Sequence, residues 1–210
     1  MTYIDFHTHS RAVPADTIAV VDGLDTWGIH PWHADEACIV PDLSKILAVG
    51  ECGLDGLHGP SIEVQQQTLR KMVALGEAYG KPLIIHCVKK LDTLLHLSHE
   101  LKHTMPWMIH GFRGKPQQLH SLLSAGFYIS FGFCYNKESL RLCPPKNLML
   151  ETDNDARPIS LLYRSVADTL GISLPSLCTQ MAENYHTFFR KETSSKTKHC
   201  RYTQKITQRS

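Results

Sequence analysis

Six residues able to bind metal stand where short apolar runs give out. His7 and His9 follow Tyr3-Ile4-Asp5-Phe6, and Glu51 follows Ile46-Leu47-Ala48-Val49-Gly50. His86 follows Leu83-Ile84-Ile85, His110 follows Trp107-Met108-Ile109, and Asp153 ends the run from Leu148 to Thr152. Neutral imidazole nitrogen and carboxylate oxygen are ligands for divalent zinc, manganese or iron. His7 and His9 lie two apart on a strand, so both side chains face one side. Two histidines, Asp153 and a bridging Glu51 could hold a first ion. Glu51 with His86 and His110 could hold a second. Two ions together lower the pKa of a shared water and neutralise charge in phosphodiester hydrolysis. Asp153 is placed to orient that water or act as its general base. Two carboxylates among four imidazoles also call for a cation, since otherwise one carboxyl would have to protonate. A lone His-x-His carries little weight; six ligands in strand order carry much more.

Such residues meet only if a sheet brings the strand ends together. The intervals are 23 residues from His7 to His30, 21 to Glu51, 35 to His86, 24 to His110 and 43 to Asp153. A βα unit takes roughly 20–35 residues. The last interval therefore spans two units, with the run Phe127–Phe131 ending at Gly132 between them. Amphipathic stretches alternate with the runs. One opens at Ser61, carries Leu69, Met72 and Val73, and closes at Gly80. Others carry Leu91, Leu94, Leu95 and Ser98; Leu119, Leu122 and Leu123; Ile159, Leu162, Tyr163, Val166 and Leu170; and Leu177, Met181, Tyr185 and Phe188. Met and aromatic residues on these stripes read as core. No Gly-x-Gly-x-x-Gly follows the first strand, so a dinucleotide-binding open sheet lacks support. Reactive residues at nearly every strand end favour an α/β fold of the (β/α)8 TIM-barrel type, whose strand ends converge on one mouth. Only residues 10–26 separate His9 from Trp27, so a loop, helix and strand barely fit and the first βα unit must be contracted.

The chain has 210 residues, 42% hydrophobic and 20% charged, which is ample for a packed core and excludes a disordered chain. Thirteen histidines equal the glycines in number. The net charge of +2 conceals a split. Residues 191–210 hold six Lys/Arg and one acid, whereas residues 1–190 hold 16 Lys/Arg against 19 Asp/Glu. The expected organisation is a catalytic barrel over 1–190 and a basic, disordered tail over 191–210, either merely solvated or able to touch a polyanion. The seven cysteines are irregularly spaced with no Cys-x-x-Cys pair. No basic-then-apolar leader and no run of about 20 apolar residues occurs, so a cytoplasmic protein without a membrane partner is expected. Cys52 and Cys87 each follow a candidate ligand and should point away from the mouth. Trp27 and Trp107 read as buried, while Trp32 could stack on a base. Asp55 could orient a ligand histidine or cap its own loop.

The segments FHTH (6–9), GIHPW (28–32), VGECGLD (49–55), KPLIIHC (81–87), IHGFRG (109–114), FYISFG (127–132) and LETD (150–153) resemble the TatD family of metal-dependent hydrolases. The likeness runs in order from about residue 3 to Phe189, where AENYHTFF (182–189) is similar to the family's terminal helix. The resemblance implies a (β/α)8 barrel related to the amidohydrolases and a deoxyribonuclease activity. It implies that His7, His9 and Asp153 bind a first ion, that Glu51 bridges, and that His86 and His110 bind a second. It also implies that His30 faces the scissile phosphate. Asn154-Asp155-Ala156 replaces the family's small residue, Pro and Tyr after LETD; Val88-Lys89-Lys90 stands where an Arg is usual; and Arg113 replaces a Ser. The family also spends far more chain between the first two strands. Arg113 and Lys89 could grip a phosphate or carboxylate, or be ordinary loop charges.

The expected activity is a divalent-metal-dependent phosphodiesterase acting on DNA, with Asp153, Glu51 and His30 as catalytic groups and His30, Arg113 and Lys89 on the substrate. Nitrogen-rich ligation favours two zinc or manganese ions, with magnesium also possible. Two other classes stay open. The same centre could hydrolyse a small amide, lactone or phosphomonoester, or the chain could be a non-catalytic metal or nucleic-acid binder. The acidic balance of 1–190 tempers the nuclease reading, since a nuclease usually carries a basic footprint.

Overall fold

The computed structural model describes residues 1–189, so the basic tail expected over 191–210 lies outside the described residues. Eight strands appear in chain order: β1 (Tyr3–Thr8), β2 (Thr17–Val21), β3 (Thr26–Trp27), β4 (Ala48–Asp55), β5 (Leu83–Val88), β6 (Trp107–Ile109), β7 (Tyr128–Phe131) and β8 (Leu148–Leu150). All neighbouring pairs within the two sheets are parallel. β3 to β8 form one sheet in sequence order, and β1 pairs with β2. The two sheets meet where Thr8 bridges Asp153 in parallel fashion. This is the TIM-barrel arrangement, with each strand's C-terminal end at one mouth.

The helices are α1 (Ile62–Tyr79), α2 (Leu91–Leu101), α3 (Pro116–Ser124), α4 (Lys137–Leu142), α5 (Ile159–Leu170) and α6 (Leu174–Phe189). The apolar stripes read from the sequence turn inward: Leu69, Met72 and Val73 on α1, Leu162, Tyr163 and Val166 on α5, and Leu177, Met181 and Phe188 on α6 are buried. Gly80 closes α1 in the left-handed conformation, at φ 63°. Both faces of the central strands are covered, so Phe6, Ile84, Trp107, Phe127 and Phe131 are wholly buried. No described helix is long and apolar enough to cross a membrane.

The contraction goes further than one βα unit. Among the described residues, no α-helix lies between β1 and β4; only two single-turn 3-10 segments, Pro31–His33 and Leu43–Lys45, break the coil. β2 enters β3 through a four-residue turn. There Asp25 accepts from Val21 N–H (2.8 Å) and Asp22 accepts from Thr26 hydroxyl (2.7 Å). Side-chain carboxylates thus complete a connection that would otherwise need a helix.

The joint between β1 and β8 is also built from side chains. Tyr163 on α5 accepts from Ile4 N–H (2.9 Å) and donates to Ile4 carbonyl (2.8 Å), supplying both partners that a strand ladder would have given. Nearer the mouth, Asp5 accepts from Thr152 N–H (3.0 Å) and Thr152 hydroxyl (2.6 Å). This clamp sets the register of the His7–His9 strand against Asp153.

Candidate metal centre

Glu51, near the middle of β4, is the hub. Its Oε2 faces one pair of histidines, with His9 Nε2 at 3.4 Å and His7 Nε2 at 3.7 Å. Its Oε1 faces another, touching His110 Nε2 and lying 3.3 Å from His86 Nδ1. Asp153 closes the first side, with Oδ1 at 3.5 Å from His9 Nε2 and 3.9 Å from His7 Nε2. All six candidate ligands therefore converge at the mouth, with two histidine pairs on opposite oxygens of Glu51 and Asp153 beside the first pair. His30 Nε2 approaches Oε1 at 3.8 Å, so a seventh donor joins the second side. Trp32 N–H donates to His30 Nδ1 (3.3 Å), leaving the ring proton of neutral His30 on Nε2, aimed into the site.

The donor set fits divalent cations. Around a tetrahedral ion with bonds of roughly 2.0–2.1 Å, ligand atoms stand about 3.4 Å apart, which is longer than a good hydrogen bond. The separations of 3.4–3.9 Å from His7 and His9 Nε2 to Glu51 Oε2 and Asp153 Oδ1 lie close to that edge length. His7 is wholly buried, yet neither ring nitrogen has a hydrogen-bond partner. A buried unsatisfied group costs about 1–3 kcal/mol, and coordination through Nε2 removes that cost. His7, His9 and Asp153 can hold one ion, and His7, Glu51 and His110 or His30, Glu51 and His86 another.

The field of the site follows from these contacts. Burial alone would raise the Glu51 carboxyl, but His110, His7 and His86 drive it far below the usual carboxylate range. Burial lowers His30 to about 4 against the pull of Glu51, so this imidazole is neutral. His9 is raised, first by its contact with Glu51.

Carboxylates stand behind several of the candidate ligand rings. Asp55 Oδ2 lies 3.1 Å from His86 Nε2 and accepts from Trp32 Nε1 (2.7 Å), while Oδ1 accepts from Leu57 N–H (2.8 Å) and His58 N–H (3.1 Å). Asp55 thus contacts both the His86 ring and the amides of its own loop. Burial opposes its ionisation, but the Trp32 indole, the Leu57 amide and His86 take its carboxyl down to about 2. Glu151 was not singled out from the sequence. It is fully buried, accepts from Gly111 N–H (2.5 Å) and stands 3.4 Å from His110 Nδ1. Its position two before Asp153 was the available signal, since both then face one side. Asp22, also missed, lies 3.7 Å from His9 Nδ1.

Backbone geometry supports the same focus. Asp153 holds φ 53°, a strained value for a non-glycine residue. Gly53 pairs with His86 at φ 147°, and a Cβ there would come within 2.0 Å of the His86 carbonyl oxygen, so only glycine lets β4 and β5 close around that ligand. Cys52 is buried with its thiol toward Ile84 carbonyl, and Cys87 packs against the core. Trp107 is buried and Trp27 partly so. Arg113 is exposed and lines a cavity of about 240 Å³ with Asp153, Asn154 and Asp155. Lys89 stands outside the cluster, exposed in a left-handed turn (φ 57°) after β5.

The profile of the TatD related DNase family matches residues 21–190. The uncharacterized metal-dependent hydrolase YcfH of Escherichia coli K12 is 26% identical over 195 residues, covering 80% of this chain and 74% of that one. The 3'-5' ssDNA/RNA exonuclease TatD of Edwardsiella piscicida is 30% identical over 146 residues, covering 61% of this chain and 56% of that one. Among solved structures, YjjV, a TatD homolog from E. coli K12, superposes with a TM-score of 0.70 at 22% identity, over 83% of this chain and 77% of that one. A TatD family hydrolase from Entamoeba histolytica gives 0.69 at 19% identity, over 83% and 75%. Both structures share the fold.

Proposed function

This chain belongs to the TatD related DNase family, and on that premise we propose that it is a divalent-metal-dependent phosphodiesterase acting on DNA. The observation carrying this reading is Glu51, whose two oxygens address separate histidine pairs. His7, His9 and Asp153 would hold one ion, His86 and His110 a second, and Glu51 both. Bound there, such ions would lower the pKa of a water and offset charge on the attacked phosphate. Zinc or manganese suits the imidazole-rich set better than magnesium.

The protein's own groups do the rest. Asp153 is the one ligand carboxylate with appreciable exposure, 27% at its side chain, so it can accept the proton of an attacking water. Neutral His30 directs an Nε2–H donor toward a phosphate oxygen beside Glu51. Arg113, across the cavity from Asp153, offers a forked donor to the adjoining phosphate. Lys89, exposed after β5, serves as a further positive charge toward the strand. Asp55 and Glu151 orient His86 and His110 and touch no substrate. Residues 1–190 would form the hydrolase unit, a reading supported by a family match over residues 21–190, with 191–210 a stretch of basic composition. The unpaired cysteines suit a reducing, cytoplasmic setting.

The test is a substrate panel on metal-loaded protein: single-stranded DNA, duplex DNA, a simple phosphodiester and an amide. Cleavage of DNA that Glu51→Ala and His110→Ala abolish is the expected result. Cleavage of the amide alone, or activity surviving both substitutions, overturns the reading.

A further inference from the structure

Trp32 is unusual among the aromatic residues of this protein: it is 46% exposed, yet held rigidly beside the metal centre. Its indole N–H is consumed by the buried Asp55 (2.7 Å), so the surface left to solvent is the apolar ring. Its backbone sits in the turn Pro31–His33, whose N-cap is His30. The loop carrying Gly59 (φ 86°) closes on it so tightly that a Cβ there would lie 2.8 Å from Trp32 Cα. On one flank stands His30, edge-on with centroids 4.8 Å apart at 84°; on another stands His58, 5.1 Å away and tilted by 53°. His58 is itself 62% exposed at its side chain. The two open rings make a notch for a flat aromatic group.

Its position says which group. Asp55 Oδ2 binds both Trp32 Nε1 and His86 Nε2, so the notch and a candidate metal ligand share one oxygen. The Trp32 and His86 rings are 6.3 Å apart. A phosphate held beside His30 and Glu51 thus has its own nucleotide's base within reach of Trp32. We propose that Trp32, flanked by His58, is the stacking platform for an unpaired base of the strand being cleaved. Base–aromatic stacking is indifferent to sequence but needs a base free of its partner. Trp32 would then hold the strand through a base without reading which base it is. The inference rests on the phosphodiesterase reading above and names the substrate feature it recognises.

The test compares an oligothymidylate with the same strand carrying abasic sugars, both with hydrolysis-resistant phosphorothioate linkages. Binding is read by fluorescence anisotropy on metal-loaded protein. Wild-type protein should prefer the base-bearing strand by about tenfold or more, the worth of one stack. Trp32→Ala should collapse that preference, while Trp32→Phe, which keeps a ring but loses the bond to Asp55, should retain most of it. Equal binding of both strands by wild type, survival of the preference in Trp32→Ala, or its loss in Trp32→Phe overturns the platform. Cleavage of ordinary linkages is scored separately. A protein that discriminates bases and cleaves neither DNA nor a simple phosphodiester refutes the hydrolase reading and leaves the platform standing.

Discussion

The two arcs of the barrel are built differently. From β4 to β8 the strands are backed by helices, and buried carboxylates stand behind the candidate ligand histidines, Asp55 hydrogen-bonded to His86 and Glu151 3.4 Å from His110. Between β1 and β4 no described α-helix intervenes, although α5 and α6 pack on β1; Val13, Ile18, Leu24, Ile39 and Val40 stand exposed, and the carboxylate behind His9, Asp22, is partly exposed and 3.7 Å away. Yet both arcs deliver donors to the same carboxylate. The difference teaches that the mouth depends on strand ends and their lateral ties. The helices add burial and thereby stiffen whichever ligands they back.

The largest effect should come from Glu51, the residue of β4 that histidines of both arcs address. Glu51→Ala should release nearly all bound metal and lower activity by more than about 10³-fold, since several kcal/mol of charge stabilisation vanish. His7→Ala from the bare arc and His110→Ala from the backed arc should each keep about one ion. Elemental analysis decides this, and full loss in His7→Ala alone would mean that the bare arc holds both ions.

Next is the joint between the arcs. Tyr163→Phe strands a buried N–H and a buried carbonyl of Ile4, and should cost about 2–4 kcal/mol in urea unfolding. A loss below about 1 kcal/mol would show that water or a strand shift repairs the seam.

Smaller again is the contrast in what stands behind the ligands. Glu151→Gln and Asp55→Asn should weaken metal binding about 10–100-fold, and Asp22→Asn by less than tenfold. Titration with a metal-sensitive dye reads all three. Equal effects would erase the distinction between the arcs.

The smallest expected effect lies at the base of the backed arc. Glu77 accepts from Thr104 N–H, Thr104 hydroxyl and Met105 N–H, tying α1 to the entry of β6. Burial opposes its ionisation, but these bonds win and lower its carboxyl below 4.5. Its contribution is therefore complete above the unfolded value of 4.5 and fades as pH falls through the lower folded value. Glu77→Gln should cost about 1 kcal/mol at pH 7, limited by partial exposure, with the gap from wild type shrinking as pH falls below 4.5 and through the lower folded value. Unfolding curves at pH 7 and below pH 4.5 test the sign.

The helices around the backed arc were legible because amphipathic periodicity is a local property. Ser61 and Gly80 bracket α1 as read, and Leu69, Met72 and Val73 face inward. The bare arc was only half legible. Seventeen residues between His9 and Trp27 announced a contraction, but not that the second connection is also a bare turn held by Asp22 and Asp25. Turn carboxylates carry no periodicity to read. Glu151 escaped notice because its run looked like an ordinary buried strand end.

The sequence alone determined the donor types, their order and their attachment to successive strands, because side-chain chemistry and the two-residue period of a strand act locally; it put Glu51 at a strand end, whereas β4 runs on to Asp55. Only the tertiary structure decided which Glu51 oxygen serves which histidine pair. It alone showed that Glu151 backs His110, and that one Asp55 oxygen joins Trp32 to His86. Those relations run across the sheet, between residues tens of positions apart. They exist only once lateral pairing has fixed each strand's height and rotation against its neighbours.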